Sequence, residues 1–364
     1  MKRRDVIRGL GIGAAAAAVG ACGRNAREAS QAADARTFEW RLVTTWPANF
    51  PGLGTGAIEF AQRVEACSGG RLKIRVYGDG ELVPAFEIFD AVATGTAEMG
   101  HGAAYYWKGK VPASSFFASI PFGLTAQEMN AWLYFGGGWD LWKEAYAPFG
   151  LVPAPCGSSG CQMGGWFRKE IRSLADLKGL KMRIPALGGE VSARAGGTPV
   201  TMPGSEIFTS LQSGAIDATE WIGPYNDLAF GLYKAAKYYY YPGWHEPGST
   251  LEMIINRRAF ESLPEDLREI VMTCAGAIND RMLAEFTARN AEALQTLVKD
   301  HGVQLRPFPD DVLRELRRLS EQVLEESAAR DPMFRRTLDS LQAFRQRMTP
   351  YIDIAERAFL NSRT

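Results

Sequence analysis

Histidine is almost missing from this chain: three residues in 364, at positions 101, 245 and 301. Cysteine is sparse too, with five residues, and nothing in their spacing suggests zinc. An excess of charge is missing as well. Forty-one Lys plus Arg balance forty-one Asp plus Glu, which leaves no basic footprint for nucleic acid. Beyond the N-terminus no apolar run is long enough to cross a membrane. Catalytic signatures are also lacking. There is no G-x-S-x-G nucleophile elbow, no P-loop, and no G-x-G-x-x-G between a strand and a helix. The glycines at 136–138 sit between aromatic helical segments and read as a break rather than a phosphate cradle. An exported enzyme working through Glu220 and His245 would need a nucleophile or base pair that is not visible.

What is present is ordinary in bulk: 46% apolar and 23% charged residues, enough for a buried core over a length that suits two domains. The N-terminus reads as an export signal. Lys2, Arg3 and Arg4 form a basic segment, and residues 9–21 a short Gly/Ala-rich one, too weakly apolar to span a membrane. Paired arginines before such a segment fit the twin-arginine route; a general secretion signal with incidental arginines fits equally. "VGAC" ends at Cys22 as a lipobox would, whereas cleavage within "NAREASQAADA" would remove that cysteine. Residues 1–35 are thus read as signal and polar spacer, and the destination as the periplasm. Export makes disulfides possible. Cys156 and Cys161 are close enough in sequence to pair; alternatively Cys67, Cys156, Cys161 and Cys274 are all free thiols.

From Phe38 onward strands alternate with helices. "FEWRLVTTW" and "RLKIRVYG" are strand-like, each followed by a helical segment that ends at or near glycine. The rhythm resumes after Gly160 with "MGGWFRK", "LKMRIP", "AIDATEWI" and "KYYYYPGW" as strands. This order predicts an α/β fold with largely parallel sheets in two units. From Pro264 to His301, and again from Pro309 to Phe359, the chain reads as long helices.

Four stretches carry a resemblance: "SIPFGL", "GGWFRKEIRSLADLKGLKMRIPALGGEV", "LQSGAIDATEWIGPYND" and "LPEDLREIV". They resemble the solute receptors of tripartite ATP-independent periplasmic (TRAP) transporters, and the likeness runs from about Phe38 to the C-terminus. It is closest to the 2-oxoacid receptors. "EW" at 220–221 stands where sialic-acid and C4-dicarboxylate receptors usually carry Glu-Asn. The resemblance implies a two-domain periplasmic binding protein, type II-like, with a hinge cleft, long C-terminal helices and a discontinuous chain. The expected parts are 36–160 with about 248–300 as the first domain and 161–247 with about 301–330 as the second. Residues 331–364 would form a helical arm, read as a dimerisation element of a homodimer. The implied partners are a small organic anion, pyruvate-like or else lactate-like, and the TRAP membrane subunits.

The site residues follow on the same footing. Arg183, a charge within the apolar strand "LKMRIP", must find a partner, and its planar fork suits a carboxylate. It falls where the family binds its ligand's carboxylate; the bland reading is a buried ion pair. Arg168 is a weaker ligand candidate, at a strand end. Glu220 beside an anion would repel it unless a cation stood between them. Gln162, Glu220 and the Trp221 backbone carbonyl offer oxygen ligands, with Glu246 a further one. Oxygen-only ligation points to a hard cation, Na⁺ or Ca²⁺, with Na⁺ the better match for one carboxylate among neutral oxygens. Tyr105, Tyr106 and Trp107 from the first unit and Trp221 and Trp244 from the second are the expected aromatic walls.

Overall fold

The structure, a computed structural model, describes residues 36–363; the expected export signal, with Arg3, Arg4 and Cys22, lies outside the described residues. The strands are β1 (Phe38–Thr44), β2 (Leu72–Tyr77), β3 (Met99–Gly102), β4 (Leu151–Gly160), β5 (Gly165–Phe167) and β6 (Lys181–Arg183). They continue with β7 (Thr198–Val200), β8 (Ala218–Thr219), β9 (Tyr238–Tyr241), β10 (Ser249–Asn256) and β11 (Gln304–Pro307). The helices are α1 (Leu53–Cys67), α2 (Ile88–Thr94), α3 (Ala126–Phe135), α4 (Gly138–Tyr146), α5 (Ala186–Arg194) and α6 (Gly204–Ser213). After them come α7 (Pro224–Phe230), α8 (Arg257–Ser262), α9 (Glu265–Lys299), α10 (Asp310–Ala328), α11 (Pro332–Ile352) and α12 (Ala358–Ser362).

Two sheets result, ordered β2-β1-β3-β10-β4 and β11-β9-β5-β8-β6-β7. β1 shows how sequence becomes layer. Phe38, Trp40 and Leu42 alternate inward while Glu39 and Arg41 turn outward, as a period of two dictates. Neither sheet is largely parallel. β10 runs antiparallel to both β3 and β4, and β5 antiparallel to β8 and β9. The cause is the path of the chain. β4 carries it out of the first half, β10 brings it back, and two such strands side by side must oppose each other. Both strands escape a reading by pattern. β4 contains Pro153 and Pro155, tolerated because it is the edge strand of its sheet. β10 is buried along seven of its eight residues and shows no alternation.

α9 is 35 residues long, about 50 Å of helix. Its first part covers β4 and α1. Further along, Asn290 accepts from the Tyr225 backbone N–H at 2.9 Å and Phe286 meets the Tyr225 ring, so the same helix also holds α7. The tail returns to the first half. Phe334 of α11 packs on Phe116 with ring centroids 4.6 Å apart, and Trp132 donates to Ser340 at 3.2 Å. The opening turns of the expected arm therefore cover their own chain. Only toward the end do Tyr351, Ile354, Phe359 and Leu360 stand exposed.

Each half encloses one carboxylate held in the same manner. Glu252 accepts from the Trp107 indole and, at 2.9 Å, from the Tyr146 hydroxyl. Asp227 accepts from the Trp166 indole at 2.9 Å and the Tyr239 hydroxyl at 2.6 Å. Burial raises each pKa to about 7, against the opposing pull of these hydrogen bonds. Glu252 therefore holds its proton in the folded state up to about pH 7, whereas its ordinary value is 4.5. A raised value means stability that is complete below about pH 4.5 and lost as pH climbs through 7. Glu252→Gln keeps an acceptor for Trp107 and puts an amide N–H in place of the acid proton, but cannot ionise. Denaturant unfolding should find the variant equal to the parent below pH 4.5 and more stable by about 3 kcal/mol at pH 8; equal stability at both ends would refute the assignment.

Candidate ligand and cation site

In open α/β sheets, ligands lie off the carboxyl ends of the strands. Here those ends converge from both halves. Trp46 follows β1, and Tyr106 sits in the short helical turn Ala104–Trp107 after β3. Gln162 follows β4, Arg183 closes β6, and Glu220 follows β8. β6 and β8 are parallel neighbours with Arg183 opposite Thr219, which places Arg183 beside Glu220.

Arg183 and Glu220 form a buried ion pair, their side chains 1% and 0% exposed. Arg183 Nη1 donates to Glu220 Oε1, Nε donates to the Met202 carbonyl at 3.3 Å, and Nη2 reaches the Tyr106 hydroxyl at 3.4 Å. The guanidinium also lies 5.2 Å from the Trp221 ring centre, a cation–π distance. Burial works against its charge, but Glu220, with Tyr106 and Tyr105 beside it, holds its pKa above the ordinary value. Burial likewise raises Tyr106. That hydroxyl accepts from Arg183, so its own proton is free to be donated to an anion.

Two acceptors in this cluster are left without donors. Glu220 Oε2 and Gln162 Oε1 are buried without a hydrogen-bond partner. The Gln162 amide is turned that way by its neighbours, because Nε2 donates to Glu246 at 2.8 Å and to Ser249 at 3.3 Å. Glu246 Oε2 is thus already engaged, also accepting from the Ser249 hydroxyl. Burial first, and the charge of Glu220 second, push Glu246 upward in pKa. His245 Nε2 stands 3.4 Å from Glu220 Oε2, and neither ring nitrogen has a hydrogen bond. One ligand atom each from Glu220, His245 and Glu246 lie within 4.8 Å of one another. Unpartnered hard oxygens, oriented and dry, fit a Na⁺- or Ca²⁺-type ion.

Aromatic rings close the space. Trp221 meets Trp46 and Phe50 of the first half edge-on at 6.2 and 6.4 Å, and Phe230 of the second at 5.2 Å. Trp46 is fixed in turn by His101. The indole donates to Nδ1 at 2.8 Å, so Nε2 carries the proton and donates to the Cys156 carbonyl at 2.8 Å. Burial lowers the His101 pKa to about 4, which keeps this tautomer neutral. At the cleft mouth, Lys108 pairs with Glu190 and Ser205 donates to Asp79 at 2.8 Å. The two halves are therefore shut on each other.

Arg183, Glu220, Gln162, Tyr106, Trp221 and Glu246 are brought together. Arg168 is not: it is exposed, with its guanidinium over Gly214. Trp244 is turned away. Its ring stacks on Phe122 and lines a surface groove with Cys161, Pro242 and Arg317. Trp46, Phe50 and His245 join the cluster without having been singled out as ligand contacts. Of these, only Trp46 had a usable signal, an aromatic immediately after the first strand.

A family model described as bacterial extracellular solute-binding protein, family 7, matches residues 42–331. A monocarboxylate 2-oxoacid-binding periplasmic protein of Nostoc sp. is 43% identical, over 99% of this chain and 98% of that one. Two solved structures superpose with a TM-score of 0.88. One is a TRAP solute-binding protein of Bordetella bronchiseptica, a mixed-occupancy dimer with copurified calcium and picolinate in its bound site. It is 37% identical, covering 90% of this chain and 97% of that one. The other is a TRAP periplasmic solute-binding protein of Pseudoalteromonas atlantica with bound sodium and pyruvate. It is 41% identical, covering 90% of this chain and 99% of that one.

The ion pair has a testable signature in the protein alone. Arg183→Met leaves Glu220 buried without its cation and should cost about 3–5 kcal/mol of unfolding free energy at pH 7. Adding Glu220→Leu should restore most of that loss. Additive losses in the double variant, measured by urea unfolding, would show that the two side chains do not depend on each other.

Proposed function

The chain belongs to family 7 of the bacterial extracellular solute-binding proteins, the receptors of TRAP transporters, and we propose that its ligand is a small pyruvate-like 2-oxo monocarboxylate bound together with a cation. TRAP receptors bind small organic anions and work with membrane subunits, and the family is one of receptors rather than enzymes. One observation carries the reading: a buried arginine fork and two unpartnered hard oxygens lie together in the same buried site. Such a pocket suits a ligand that is an anion at one atom and a chelator at the next. Pyruvate and picolinate share that design, a carboxylate with a second donor atom, keto oxygen or ring nitrogen, on the adjoining carbon.

In this reading Arg183 and the Tyr106 hydroxyl bind the carboxylate. Gln162 Oε1, Glu220 Oε2 and the Trp221 carbonyl hold the cation. Glu246 and Ser249 orient the Gln162 amide, so Glu246 serves by positioning. The cation, when bound, offsets the charge of Glu220 and bridges it to the anion. The rings of Trp221, Trp46 and Phe50 exclude water, which strengthens every charge interaction inside. Na⁺ remains our assignment over Ca²⁺, because Glu220 Oε2 is the carboxylate oxygen that is fully buried without a partner, beside the neutral Gln162 Oε1.

Two further features belong to the same proposal. The N-terminal 35 residues act as an export signal, by the twin-arginine route if Arg3-Arg4 is read as its motif, with Cys22 either lipidated or removed. The receptor is a homodimer, its partner covering Tyr351, Ile354, Phe359 and Leu360. Deleting residues 351–364 should convert the dimer to monomer in light scattering and leave anion affinity unchanged; a full-length monomer at tens of micromolar would refute it.

The ligand assignment is tested by calorimetric titration of pyruvate and lactate into metal-stripped protein, with and without Na⁺ or Ca²⁺. Added cation should tighten pyruvate binding about tenfold or more, the coupling usual between linked sites. Glu220→Gln should abolish that gain. Equal pyruvate affinity in all buffers would remove the cation from the proposal, and tighter binding of lactate would move the ligand from oxoacid to hydroxyacid.

A further inference from the structure

Away from the ligand site, α1 and α9 lie side by side in opposite directions. Three contacts fix the register. Gly56 faces Met282, Glu59 pairs with Arg281 at 2.6 Å, and Arg71 pairs with Asp266. Gly52 and Gly56 are responsible for the close approach, since a Cβ at either would collide with Phe286 or Met282. Followed along α1, this register carries Cys67, its last residue, to Cys274. The Cys274 side chain sits on the buried face of α9, and the Cys67 thiol beside it helps to raise its pKa. Cys67 itself is exposed, whereas Cys274 is buried.

We propose that Cys67 and Cys274 are a disulfide-forming pair, closed by a disulfide oxidant in an oxidising compartment to clamp α1 onto α9. Exchange chemistry suits the arrangement. The exposed Cys67 thiol loses its proton and attacks the oxidant's disulfide. A mixed disulfide forms, and one oxidant thiolate leaves. Cys274, deprotonated in turn, attacks the Cys67 sulfur, and the second oxidant thiolate leaves. Two cysteine thiols are oxidised, one disulfide is reduced to two thiols, and the two protons pass to the departing thiolates. Burial and the adjoining Cys67 raise the Cys274 pKa to about 11, so Cys67 is the entry point; Arg63, one turn earlier on α1, favours the Cys274 thiolate for the closing step.

Of the other two cysteines among the described residues, Cys156 also neighbours Cys274, but it is closed off from solvent. Cys156 lies in β4 and is fully buried, so an oxidant cannot reach it, and the Cys161 thiol contacts the Gln162 carbonyl at 3.8 Å. The consequence for the fold is specific. The clamp fastens the first third of α9 to the first half and leaves the portion at Asn290 to follow α7. It also closes a covalent loop containing Tyr106, Gln162, Arg183, Glu220, Trp221 and Glu246. A loop this long removes much freedom from the unfolded chain.

The test uses the full chain equilibrated in a buffer of oxidised glutathione, alkylated without reduction and digested. The expected result is a peptide containing Cys67 joined to one containing Cys274, separated by dithiothreitol. Oxidation should raise Tm by about 5 °C, with Cys67→Ser and Cys274→Ala indifferent to the redox buffer. Alkylated thiols at both positions after equilibration would overturn the proposal. So would Cys67 recovered only as a glutathione adduct or joined to Cys161 of another chain.

Discussion

The pairing of Arg183 with Glu220 is the constraint around which the rest of the cleft is arranged. A guanidinium and a carboxylate withdrawn from water cost several kcal/mol each before any attraction is counted, and only good geometry offsets that. Two parallel strands supply it by ending side by side. The Met202 carbonyl, the Tyr106 hydroxyl and the Trp221 ring occupy the remaining faces of the guanidinium. The carboxylate is treated differently: one oxygen is engaged by Arg183 and the other faces only His245, without a hydrogen bond. A pair balanced on one side and under-used on the other is strong enough to persist and still able to receive.

That imbalance reaches outward through Gln162. An amide can present either end, and here the nitrogen is occupied by Glu246 and Ser249, so the oxygen faces inward. The segment holding Glu246 and Ser249 leads directly into β10, the strand that returns the chain to the first half. The polarity of the pocket is therefore tied to the crossover between halves. Tyr106 and Trp46 arrive from the opposite sheet, and the pocket is complete only when the halves meet.

Much of this was legible in the sequence, for reasons that differ residue by residue. Arg183 stood out because a charge in an apolar strand needs a partner, and Glu220 because a carboxylate beside an anion calls for a cation between them. Both lie in stretches that carry the family resemblance. The antiparallel crossover was not legible. Prolines in β4 mimic a loop, and continuous burial of β10 removes the alternation that marks a strand. Trp244 misled because identity alone does not say which way a ring turns, and the ring turned toward Phe122. Arg168 lies on a strand end that faces solvent. Phe50 and His245 belong to the site through tertiary approach alone. The closeness of Cys67 and Cys274 likewise arises from the helix register, which glycines on α1 set and no local pattern announces.

Trp221 occupies the seam itself, with rings from the first half on one side and Phe230 of the second on the other. Several tryptophans, Trp107 and Trp166 among them, are hydrogen-bonded within one half and keep those partners whatever the halves do. Trp221 does not, because parting the halves strips away Trp46 and Phe50 and wets the indole. The molecule thus contains its own optical gauge: its ultraviolet emission changes colour and intensity as the jaws separate, with no label attached.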